Sequence, residues 1–327
     1  MKYDLVSLGE ILIDFTPAGL SEAGKKLYEE NPGGAPANCA GALAKLGGKS
    51  AFLGMTGLDS FGDDAKQALD EIGVDTSGMK KTSKQHTTLA FVNLDPNGER
   101  HFSFCRNPGA DTQLSENDLD LDKITNTKIF HVGSLSLTDE PSKSATYKAV
   151  ELAKKSGAVI SYDPNYREKL WNGKKDAVPL MKSIIPLADI VKVSEEELYI
   201  LYGKCSRKEG ALKILKENVH LVLITLGAEG VYYAGKDSSG DYIDGIIGVP
   251  EVNVVDTTCA GDSFTGGLLY CLTRKESPLD FTKTQLEEYL EFANSVASIC
   301  VTRRGAIPAL PSLPEVTAFI KQWKEKQ

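Results

Sequence analysis

The sequence contains none of the short motifs that identify a dinucleotide site, a zinc protease or a disulfide framework. No G-x-G-x-x-G occurs among its 30 glycines and no H-E-x-x-H among its four histidines, so both of those sites are excluded. The six cysteines show neither a C-x-x-C pair nor the spacing of metal ligands. Because no signal peptide begins at Met1, we expect reduced thiols in a cytoplasmic protein.

Long apolar runs and an excess of basic residues are also missing. No apolar stretch approaches the length of about 20 residues that a membrane-spanning helix needs. The formal net charge of −8, from 37 basic and 45 acidic residues, argues against nucleic acid or an anionic membrane as the main partner. An anionic ligand therefore needs local donors or metal ions.

One apparent nucleotide motif has the wrong spacing. Gly48-Lys49-Ser50 resembles the end of a P-loop, but Leu43 stands where that motif requires its first glycine. The tripeptide also follows a predicted helix instead of a strand. We therefore reject a P-loop at this position.

Short apolar runs alternate with amphipathic helical patterns through most of the chain. This alternation predicts an α/β fold with a mostly parallel central sheet covered by helices on both faces. The predicted strands are Leu5–Leu8, Ser50–Gly54, Ile129–Val132, Val159–Tyr162, Ile190–Val193, Leu221–Thr225 and Gly230–Ala234. The predicted helices are Ala37–Leu46, Asp64–Ile72, Ser142–Lys155, Ala177–Ile185, Glu195–Tyr202, Arg207–Glu217, Ser263–Leu272, Thr284–Val301 and Pro314–Lys324.

Two stretches break this rhythm. Thr88–Asp95 and Arg100–Cys105 read as strands joined by a hairpin turn at 96–99, and Ile11–Thr16 and Lys26–Glu30 are also extended. Their alternating pattern predicts a small antiparallel sheet that projects from the core. On the sequence alone, an ordinary edge hairpin fits equally well.

The most informative segment is Val254–Gly267. Its β-branched start predicts a strand, followed by a tight turn and a helix N-terminus, where the amides of Cys259, Ala260 and Gly261 would be unpaired. Free amides and the helix dipole make such a terminus an anion site. A carboxylate at Asp262 fits that site if it accepts a proton from a hydroxyl that attacks a phosphoryl group. The alternative is an acidic residue that only stabilises the first turn of the helix.

A second small-residue turn leads into a helix at Asn31–Ala40. Gly33 and Gly34 allow a close backbone approach, and Asn38 offers donors and acceptors to a hydroxylated ligand. The alternative is a plain glycine turn with a buried capping asparagine.

Together, the two segments resemble the paired signatures of the ribokinase-like carbohydrate kinases, the family named after a minor phosphofructokinase. The resemblance runs from end to end and includes Gly9-Glu10 with Asp14, Gly54–Gly62, Thr225–Gly230 and Arg304–Pro311. Further segments resemble the fructokinase subgroup, namely Arg106–Asp111, Phe130–Ser136, Asp163–Arg167 and Lys192–Glu197. So many matches in order make chance an inadequate explanation.

The resemblance implies a three-layer α/β/α core and a small β-sheet lid over a sugar site. The core would comprise residues 1–10, 33–86 and 110–327, and the lid residues 11–32 and 87–109. The implied reaction is the ATP-dependent phosphorylation of D-fructose on its 6-hydroxyl, giving fructose 6-phosphate and ADP. The implied cofactor is Mg²⁺, the partners are fructose and ATP, and a homodimer would form through the lid.

The resemblance also implies roles for particular residues. Asp262 would be the general base, and the amides from Cys259 to Gly261 the anion hole. Cys259 stands where the family usually has glycine or alanine, and we expect activity to survive because the hole uses backbone atoms. The implied sugar-binding residues are Asp14, Gly33, Gly34, Asn38, Phe104, Arg106, Asn165 and Arg167.

For the nucleotide and metals, the implied positions lie in the C-terminal half. Glu197 would organise Mg²⁺ through water, while Ser194 replaces the asparagine of the wider family. Ala309 stands where a serine completes the cation site of ribokinase-type members, so potassium activation is left open. The implied ATP-binding residues are Lys192, Ser194, Thr225, Gly227, Asn294 and Gly305. The implied monovalent-cation site is Asp256, Thr258, Cys300, Arg303 and Gly305.

Two other functions stay open at this point. The first is a kinase for another furanose, such as ribose or an imidazole riboside, since the same scaffold accepts those sugars. The second is a catalytically silent homologue that acts as a sugar sensor or partner protein. Such homologues typically lose the aspartate or the glycines of the anion hole, whereas Ala260, Gly261 and Asp262 are intact here.

Overall fold

A computed structural model describes residues 1–94, 100–171, 173 and 176–325 of the chain. The hairpin turn predicted at 96–99 lies outside the described residues. Within the described part, no helix is long and apolar enough to cross a membrane.

Eight strands form the central sheet in the order β14-β13-β12-β11-β10-β9-β1-β4. The six strands from β12 to β4 run parallel, and β13 and β14 are antiparallel additions at one edge. The strands of the molecule are β1 (Tyr3–Leu8), β2 (Leu12–Leu20), β3 (Lys26–Gly33), β4 (Ser50–Leu53), β5 (Met55–Gly57), β6 (Lys80–Thr82), β7 (Leu89–Leu94), β8 (Arg100–Cys105), β9 (Thr127–Gly133), β10 (Val159–Asp163), β11 (Ile190–Ser194), β12 (Leu221–Thr225), β13 (Val231–Lys236) and β14 (Tyr242–Ile247).

Helices cover both faces of this sheet. The helices are α1 (Ala35–Lys45), α2 (Ser60–Glu71), α3 (Leu121–Thr125), α4 (Ser142–Lys155), α5 (Glu168–Trp171), α6 (Ala177–Ile184), α7 (Glu195–Tyr202), α8 (Arg207–Leu215), α9 (Ala260–Thr273), α10 (Lys283–Cys300) and α11 (Leu313–Lys324). One face packs against α4, α6, α7 and α8, and the other against α1, α9 and α10. The predicted three-layer α/β/α core is therefore confirmed.

The apolar runs of the parallel strands follow from this burial on both faces. In β12, Leu221 and Leu223 pack into one core cluster, whereas Val222 and Ile224 pack into the other. Successive side chains of a strand point to opposite faces, so a strand between two helical layers must be apolar at every position. This explains why these runs lack the polar alternation of a half-exposed strand.

The strand order reverses beside β1. The chain passes from β1 to β4 on one side and later returns to β9 on the other side of β1. The loops after β1 and β9 therefore diverge and open a crevice at the carboxyl ends of the strands. Ligands of open α/β sheets bind in such a crevice.

The lid is a separate four-stranded sheet with the order β3-β2-β7-β8. The outer pairs are antiparallel, as predicted, but the central strands β2 and β7 run parallel, with Ile13 opposite Leu89. The prediction of a purely antiparallel sheet is therefore wrong, because β2 and β7 belong to different hairpins that join side by side. Phe15 stacks on Phe91 at 4.9 Å between ring centroids and meets Phe61 of α2 in an edge-to-face contact.

The strand predicted at Val254–Val255 is wrong. These valines are 61% and 53% exposed, and the Val255 amide donates to the carbonyl of Val301 at the end of α10, so no sheet partner is involved. The β-branched pair marks an extended surface segment. Three strands were not predicted: β5 and β6 are short, and Gly245 interrupts the apolar pattern of β14.

Candidate active site

A cavity of about 250 Å³ lies between the lid and the carboxyl ends of the central strands. Its wall contains three carboxylates, from Glu10, Asp14 and Asp262. Apolar side chains from the lid and from the loops after β9 and β10 complete it, among them Leu12, Phe104, Leu135 and Leu170. The remaining lining residues are Gly34, Ala35, Asn38, Asn165, Arg167, Thr257 and Thr258.

Asp262 lies in the first turn of α9 and is held from two directions. The Asn38 side-chain amide donates to its Oδ2 at 2.8 Å, and that of Asn165 donates to Oδ1 at 3.4 Å. Burial raises the pKa of Asp262 to about 6, although the Asn38 hydrogen bond acts in the opposite direction. The carboxylate is therefore ionised at neutral pH and fixed in orientation, as a general base requires.

The turn into α1 requires glycine at position 34. Gly34 has a φ of 136°, and a Cβ at that position would lie 2.5 Å from the carbonyl oxygen of Glu10. The predicted close backbone approach is therefore confirmed for Gly34, whereas a Cβ on Gly33 would meet only tight contacts, 3.3 Å from Cβ of Ala306 and 3.4 Å from Oδ2 of Asp14. Asn38 lies in the first turn of α1, and its side chain reaches Asp262.

Asp14 lies on β2 with its side chain in the cavity and is almost fully buried. Burial raises the pKa of Asp14 to about 7, and the carboxylates of Asp256 and Asp262 act in the same direction, against the opposing charge of Arg167. Its carboxylate is therefore placed to contact a hydroxylated ligand in the cavity.

Of the three amides predicted to be free at the N-terminus of α9, two are free. Within the described residues, Cys259 and Gly261 donate to no acceptor through their amides, whereas the Ala260 amide donates to the carbonyl of Thr257 at 3.2 Å. That bond tightens the turn before the helix, which consumes one donor. The two remaining amides and the helix dipole still suit an anion.

Lys192 adds a full positive charge beside these amides. A Cβ on Gly261 would lie only 2.9 Å from Nζ of Lys192, so the ammonium group lies against the backbone of this turn. Nζ also contacts Oδ2 of Asp163 at 2.6 Å. Burial by itself would lower the pKa of Lys192, but the facing carboxylates of Asp163 and Glu197 raise it above its usual range.

Cys259 is 1% exposed and packs in one buried cluster with Cys300. The neighbouring Cys300 thiol and burial raise the pKa of the Cys259 thiol well above its ordinary value. A neutral, buried thiol is a poor nucleophile. The side chain is thus a small packing group, and only the backbone of Cys259 faces the anion site.

A second cavity, of about 660 Å³, meets the first at Thr257. Its lining is mainly apolar and includes Ala260 at the start of α9. Gly227, predicted to bind ATP, lies in its wall, whereas Thr225 ends β12 outside it. The other lining residues are Ala228, Val249, Pro250, Glu251, Val252, Val254, Ala297, Ser298 and Val301.

Asn294 supports this cavity from behind. Its side-chain amide donates to the carbonyls of Ile247 and Gly248, at 3.2 and 2.9 Å. This fixes the loop after β14 against α10 and leaves the residues one turn further along, Ala297 and Ser298, in the wall. The structure thus puts Asn294 behind the predicted nucleotide site and not in its lining.

Glu197 connects two loops at the carboxyl edge of the sheet. Its carboxylate accepts the amides of Ser194 and Tyr166, each at 2.7 Å, while the Ser194 hydroxyl accepts the Glu197 amide. Burial raises the pKa of Glu197, and the neighbouring carboxylate of Asp163 acts in the same direction. Glu197 is therefore both a helix cap and a buried acidic group at the end of β11.

The structure brings together part of the predicted cation site. Asp256 accepts the amide and hydroxyl of Thr258 through Oδ1 and the amide of Gly305 through Oδ2, at 2.9, 2.5 and 3.2 Å respectively. The Arg303 amide donates to the carbonyl of Cys300 at 3.1 Å, and its guanidinium pairs with Glu315. Among the described residues, no group of three or more His, Cys, Asp or Glu side chains could hold a metal ion.

The two predicted sugar-binding arginines differ in position. Arg167 is exposed in the rim of the first cavity. Arg106 is buried beneath it and does not line it, because its guanidinium is bonded to Asp111 at 2.7 Å, to the Thr138 hydroxyl and to the carbonyl of Leu135. A sugar contact by Arg106 stays a prediction, and protein groups hold its guanidinium below the cavity.

Asn165 adopts a φ of 44°, a conformation that asparagine tolerates better than most residues. The Asp163 carboxylate accepts its amide at 3.1 Å, and this turn aims the Asn165 side chain at Asp262. Strained positions of this kind are typical of functional sites.

Three residues had no predicted role although they lie in or beside the cavities, namely Glu10, Thr257 and Asp163. Glu10 and Asp163 end or follow β1 and β10, and Thr257 precedes α9. A signal was present, because polar residues directly after parallel strands gather at one edge of the sheet. What the sequence did not give was which of those strands would be neighbours.

Known proteins resemble this chain over its whole length. The model of the pfkB family of carbohydrate kinases matches residues 2–313. Probable fructokinase-3 of Arabidopsis thaliana is 43% identical, covering 99% of this chain and 93% of that protein. Fructokinase-1 of Oryza sativa subsp. japonica is 44% identical over 97% of each chain.

Solved structures share the fold and carry ligands. Fructokinase from Xylella fastidiosa with bound ATP superposes with a TM-score of 0.91 at 34% identity, covering 99% of this chain and all 100% of that one. A double mutant of fructokinase from Vibrio cholerae O395, with fructose, ADP and potassium bound, gives 0.87 at 34% identity, covering 98% and 99%. A putative ribokinase II from E. coli, in complex with ATP and Mg²⁺, gives 0.85 at 27% identity, covering 97% and 99%.

Proposed function

This chain belongs to the pfkB family of carbohydrate kinases, and we propose that it is a fructokinase, which transfers the γ-phosphoryl group of ATP to the 6-hydroxyl of D-fructose. The products are fructose 6-phosphate and ADP. The fructokinases of Arabidopsis thaliana and Oryza sativa support this assignment through their identity over nearly the whole chain.

The observation that carries the proposal is the junction of the two cavities. They meet at Thr257, directly before the helix whose first turn holds the free amides and Asp262. A hydroxylated ligand in the smaller cavity and a nucleotide in the larger one would therefore meet at an anion site beside a carboxylate. Phosphoryl transfer requires this positioning more than covalent participation by the protein.

In the proposed reaction, Asp262 accepts the proton of the sugar hydroxyl as that oxygen attacks the γ-phosphorus. A pKa of about 6 keeps Asp262 ionised at neutral pH and close enough to that pH for efficient proton transfer. Asn38 and Asn165 hold the carboxylate, so it does not have to reorganise during the step. The sugar itself would be held by Asp14, Asn38, Arg167 and the backbone of Gly33 and Gly34.

Negative charge that develops on the transferred group would be stabilised by the amides of Cys259 and Gly261 and by Lys192. Preorganised donors of this kind contribute strongly in a site from which water is excluded. Asp163 holds the lysine ammonium in place through its 2.6 Å contact. Phe104 on the lid would cover the sugar and exclude water.

The residues present fit a nucleotide and its metal ion. The larger cavity has an apolar wall for a base, and its lining includes Thr257 and Ala260, which flank the turn where the unpaired amides would suit a phosphate. Both carboxylate oxygens of Glu197 already accept backbone amides, so this residue fits a contact to Mg²⁺ through water better than a direct one. When bound, Mg²⁺ would supply charge neutralisation on the phosphates.

We also propose potassium binding near Asp256, Thr258 and Gly305, which lie together beside the α9 turn. The potassium in the Vibrio cholerae fructokinase mutant supports this choice of ion.

Two finer proposals come from the sequence. The exposed lid residues Leu20 and Leu27 would be covered in a homodimer, which sedimentation would detect, and a cytoplasmic location stays a prediction that fractionation would test.

The decisive experiment is a coupled assay of ADP release over a panel of sugars, with and without potassium. Fructose should give a higher kcat/KM than ribose, an imidazole riboside, 2-keto-3-deoxygluconate or fructose 6-phosphate. A higher kcat/KM for ribose would refute fructose as the substrate but would leave the assignment as a sugar kinase intact. Absence of turnover with every sugar, in a folded protein that binds fructose, would favour the silent homologue.

A further inference from the structure

Glu10 is a group in the first cavity that the proposed mechanism does not use. It lies between β1 and the first lid strand, is only 4% exposed, and its Oε1 accepts the amide of Ala35, the first residue of α1, at 3.0 Å. Its other oxygen, Oε2, has no hydrogen-bond partner among the described residues. Natural proteins rarely leave a buried carboxylate oxygen unpaired.

The charged groups that face Glu10 do not meet this need. Burial raises the pKa of Glu10 to about 7, and the charge of Asp111 acts in the same direction, against that of Arg106. The Arg106 guanidinium is already bonded to Asp111, Thr138 and Leu135. The part of the chain that the structure describes therefore supplies Oε2 with no donor.

A second unpaired acceptor belongs to the same cavity. Oδ1 of Asn38 has no partner among the described residues, because the Asn38 amide nitrogen is committed to Asp262 at 2.8 Å. Glu10 and Asn38 both line the cavity, with Asp14 between the lid and the core. Three acceptor groups around one small space call for a ligand that brings several O–H donors and no negative charge, which describes an unphosphorylated sugar.

We propose that Glu10 is a specificity-determining residue, whose Oε2 accepts a hydrogen bond from a hydroxyl group of the sugar while Oε1 caps helix α1. This inference rests on the proposed function, because it concerns how the same site selects its sugar. A site that hydrogen-bonds a hydroxyl discriminates strongly against an analogue without it, since its own polar group is then left unpaired.

A plain structural role is the competing explanation. Gly34 precedes α1 and has no side chain to cap it, so the Oε1 contact alone could account for the residue. Capping needs one oxygen, which glutamine also has. Glu10→Gln therefore preserves the cap and replaces Oε2 by an amide group, whereas Glu10→Ala removes both functions.

The test is calorimetric binding of fructose and its analogues to the full-length protein without nucleotide. The analogues are 1-deoxyfructose, 3-deoxyfructose, 4-deoxyfructose and 2,5-anhydromannitol, which lacks the anomeric hydroxyl. In the wild type, the analogue that lacks the hydroxyl bound by Glu10 should bind at least about tenfold more weakly than fructose, or about 1.4 kcal/mol. In Glu10→Ala this penalty should shrink below about threefold for that analogue alone.

The proposal is overturned if every analogue keeps its wild-type penalty in Glu10→Ala, because Glu10 would then only cap α1. Should that variant not fold, Glu10→Gln decides the question by the same comparison, because it keeps the cap through Oε1 but cannot accept a hydrogen bond from the hydroxyl; an unchanged penalty for every analogue overturns the proposal. Wild-type turnover with fructose is measured separately. A protein that prefers another sugar would refute the proposed substrate, and the comparison would then use deoxy analogues of that sugar.

Discussion

As the proposed general base, Asp262 would have to satisfy two requirements that oppose each other. It must be ionised at neutral pH to accept a proton, yet buried so that water does not compete for the phosphoryl group. Burial raises its pKa to about 6, while the Asn38 hydrogen bond limits the rise. The Asn38 hydrogen bond, with the charges of Lys192 and Arg167, thus helps a buried carboxylate to remain a base.

We predict that Asp262→Asn lowers kcat by about 10² to 10⁴-fold, the usual contribution of general-base catalysis. Asparagine keeps the size of the side chain and can still hydrogen-bond the hydroxyl, but it cannot take up the proton. Fructose affinity, measured by calorimetry, should change little. Stopped-flow or coupled assays at saturating fructose give kcat.

Asp14→Ala is the matched control, because Asp14 lines the same cavity and is also buried. Its proposed contact exists before the reaction begins, so sugar affinity should fall first and KM should rise. The opposite pattern would contradict the assignment. If Asp262→Asn loses fructose binding but keeps its turnover, Asp262 is a sugar anchor and another residue is the base.

Replacing Cys259 by alanine or glycine should change kcat by less than about tenfold, or about 1.4 kcal/mol. The proposed anion site uses the backbone amide, and the thiol is neutral and packs beside Cys300. Steady-state kinetics of both variants test this expectation.

Cys271→Ala serves as the control, since Cys271 is another buried cysteine of α9 that lies away from both cavities. Both alanine variants should lose some stability in urea denaturation, while neither loses its activity. Inactivation of Cys259→Ala alone, with the fold intact, would give the thiol a role in the reaction.

Residue types in short patterns were enough to single out Asp262, Asn38 and Gly34, which the structure brings together in the wall of one cavity. They were not enough for Arg106, whose motif suggested a sugar contact but whose guanidinium is committed to Asp111 under the cavity. A motif gives the type of a side chain, whereas its direction depends on partners from other segments. Asn294 illustrates the same limit, because its amide binds the carbonyls of a distant loop.

Helices and strands with clear ends were predicted best. The bounds of α4, α7 and β12 agree with the predicted Ser142–Lys155, Glu195–Tyr202 and Leu221–Thr225. In α7 the reason is local, because Ser194 and Glu197 form a capping box. The failure at Val254–Val255 has the opposite cause, since no neighbouring strand is available to that segment and only tertiary structure could reveal this.

We predict that fructose slows amide hydrogen exchange in the lid strands β2, β3, β7 and β8. The lid contributes Leu12, Asp14 and Phe104 to the cavity, so a bound sugar would tie it to the core. Closure also excludes water, which protects the phosphoryl donor from hydrolysis. Exchange measured by mass spectrometry, with and without fructose, tests the lid directly.

The strand β12 provides the internal control, since it lies in the middle of the central sheet and contributes no residue to the sugar cavity. Its exchange should be the same in both samples. Unchanged exchange in the lid strands would return this sheet to the alternative of an ordinary edge hairpin, and the lid assignment of residues 11–32 and 87–109 would be wrong.

The site is assembled from segments that lie far apart in the sequence. Asn38 and Asp262 are 224 positions apart, and they meet because α1 and α9 pack side by side on one face of the sheet. The loops that face them follow β1, β9 and β10 at the point where the strand order reverses. The packing of the helices on the sheet therefore brings the side chains of the site together, while the individual loops would determine which ligand it selects.

Assembling the site opposes the stability of the molecule. Burial raises the pKa of Glu10 and of Asp14 to about 7 and that of Asp262 to about 6. The contribution of each carboxyl group to the stability of the folded protein is therefore complete only below the pKa of that group in the unfolded chain. This contribution is lost as pH rises through the pKa of the group in the folded protein. His131 has the opposite effect, because burial lowers its pKa to about 4 and stability falls as pH drops below about 6.5.

Because these two trends overlap, a comparison of variants is more informative than a single pH curve. We predict that Asp14→Asn stabilises the ligand-free protein, and by more at pH 8 than at pH 5. The Asp14 pKa rises from 3.8 to about 7 on folding, so the advantage should grow by about 2 to 3 kcal/mol across that range, at about 1.4 kcal/mol per pKa unit. Urea denaturation at both pH values measures it, with Asp64→Asn on the exposed side of α2 as the control. If the stability of Asp14→Asn relative to the wild type instead falls as pH rises, the ionised Asp14 carboxylate is stabilised in the folded protein by Arg167. This carboxylate would then contribute to folding instead of opposing it.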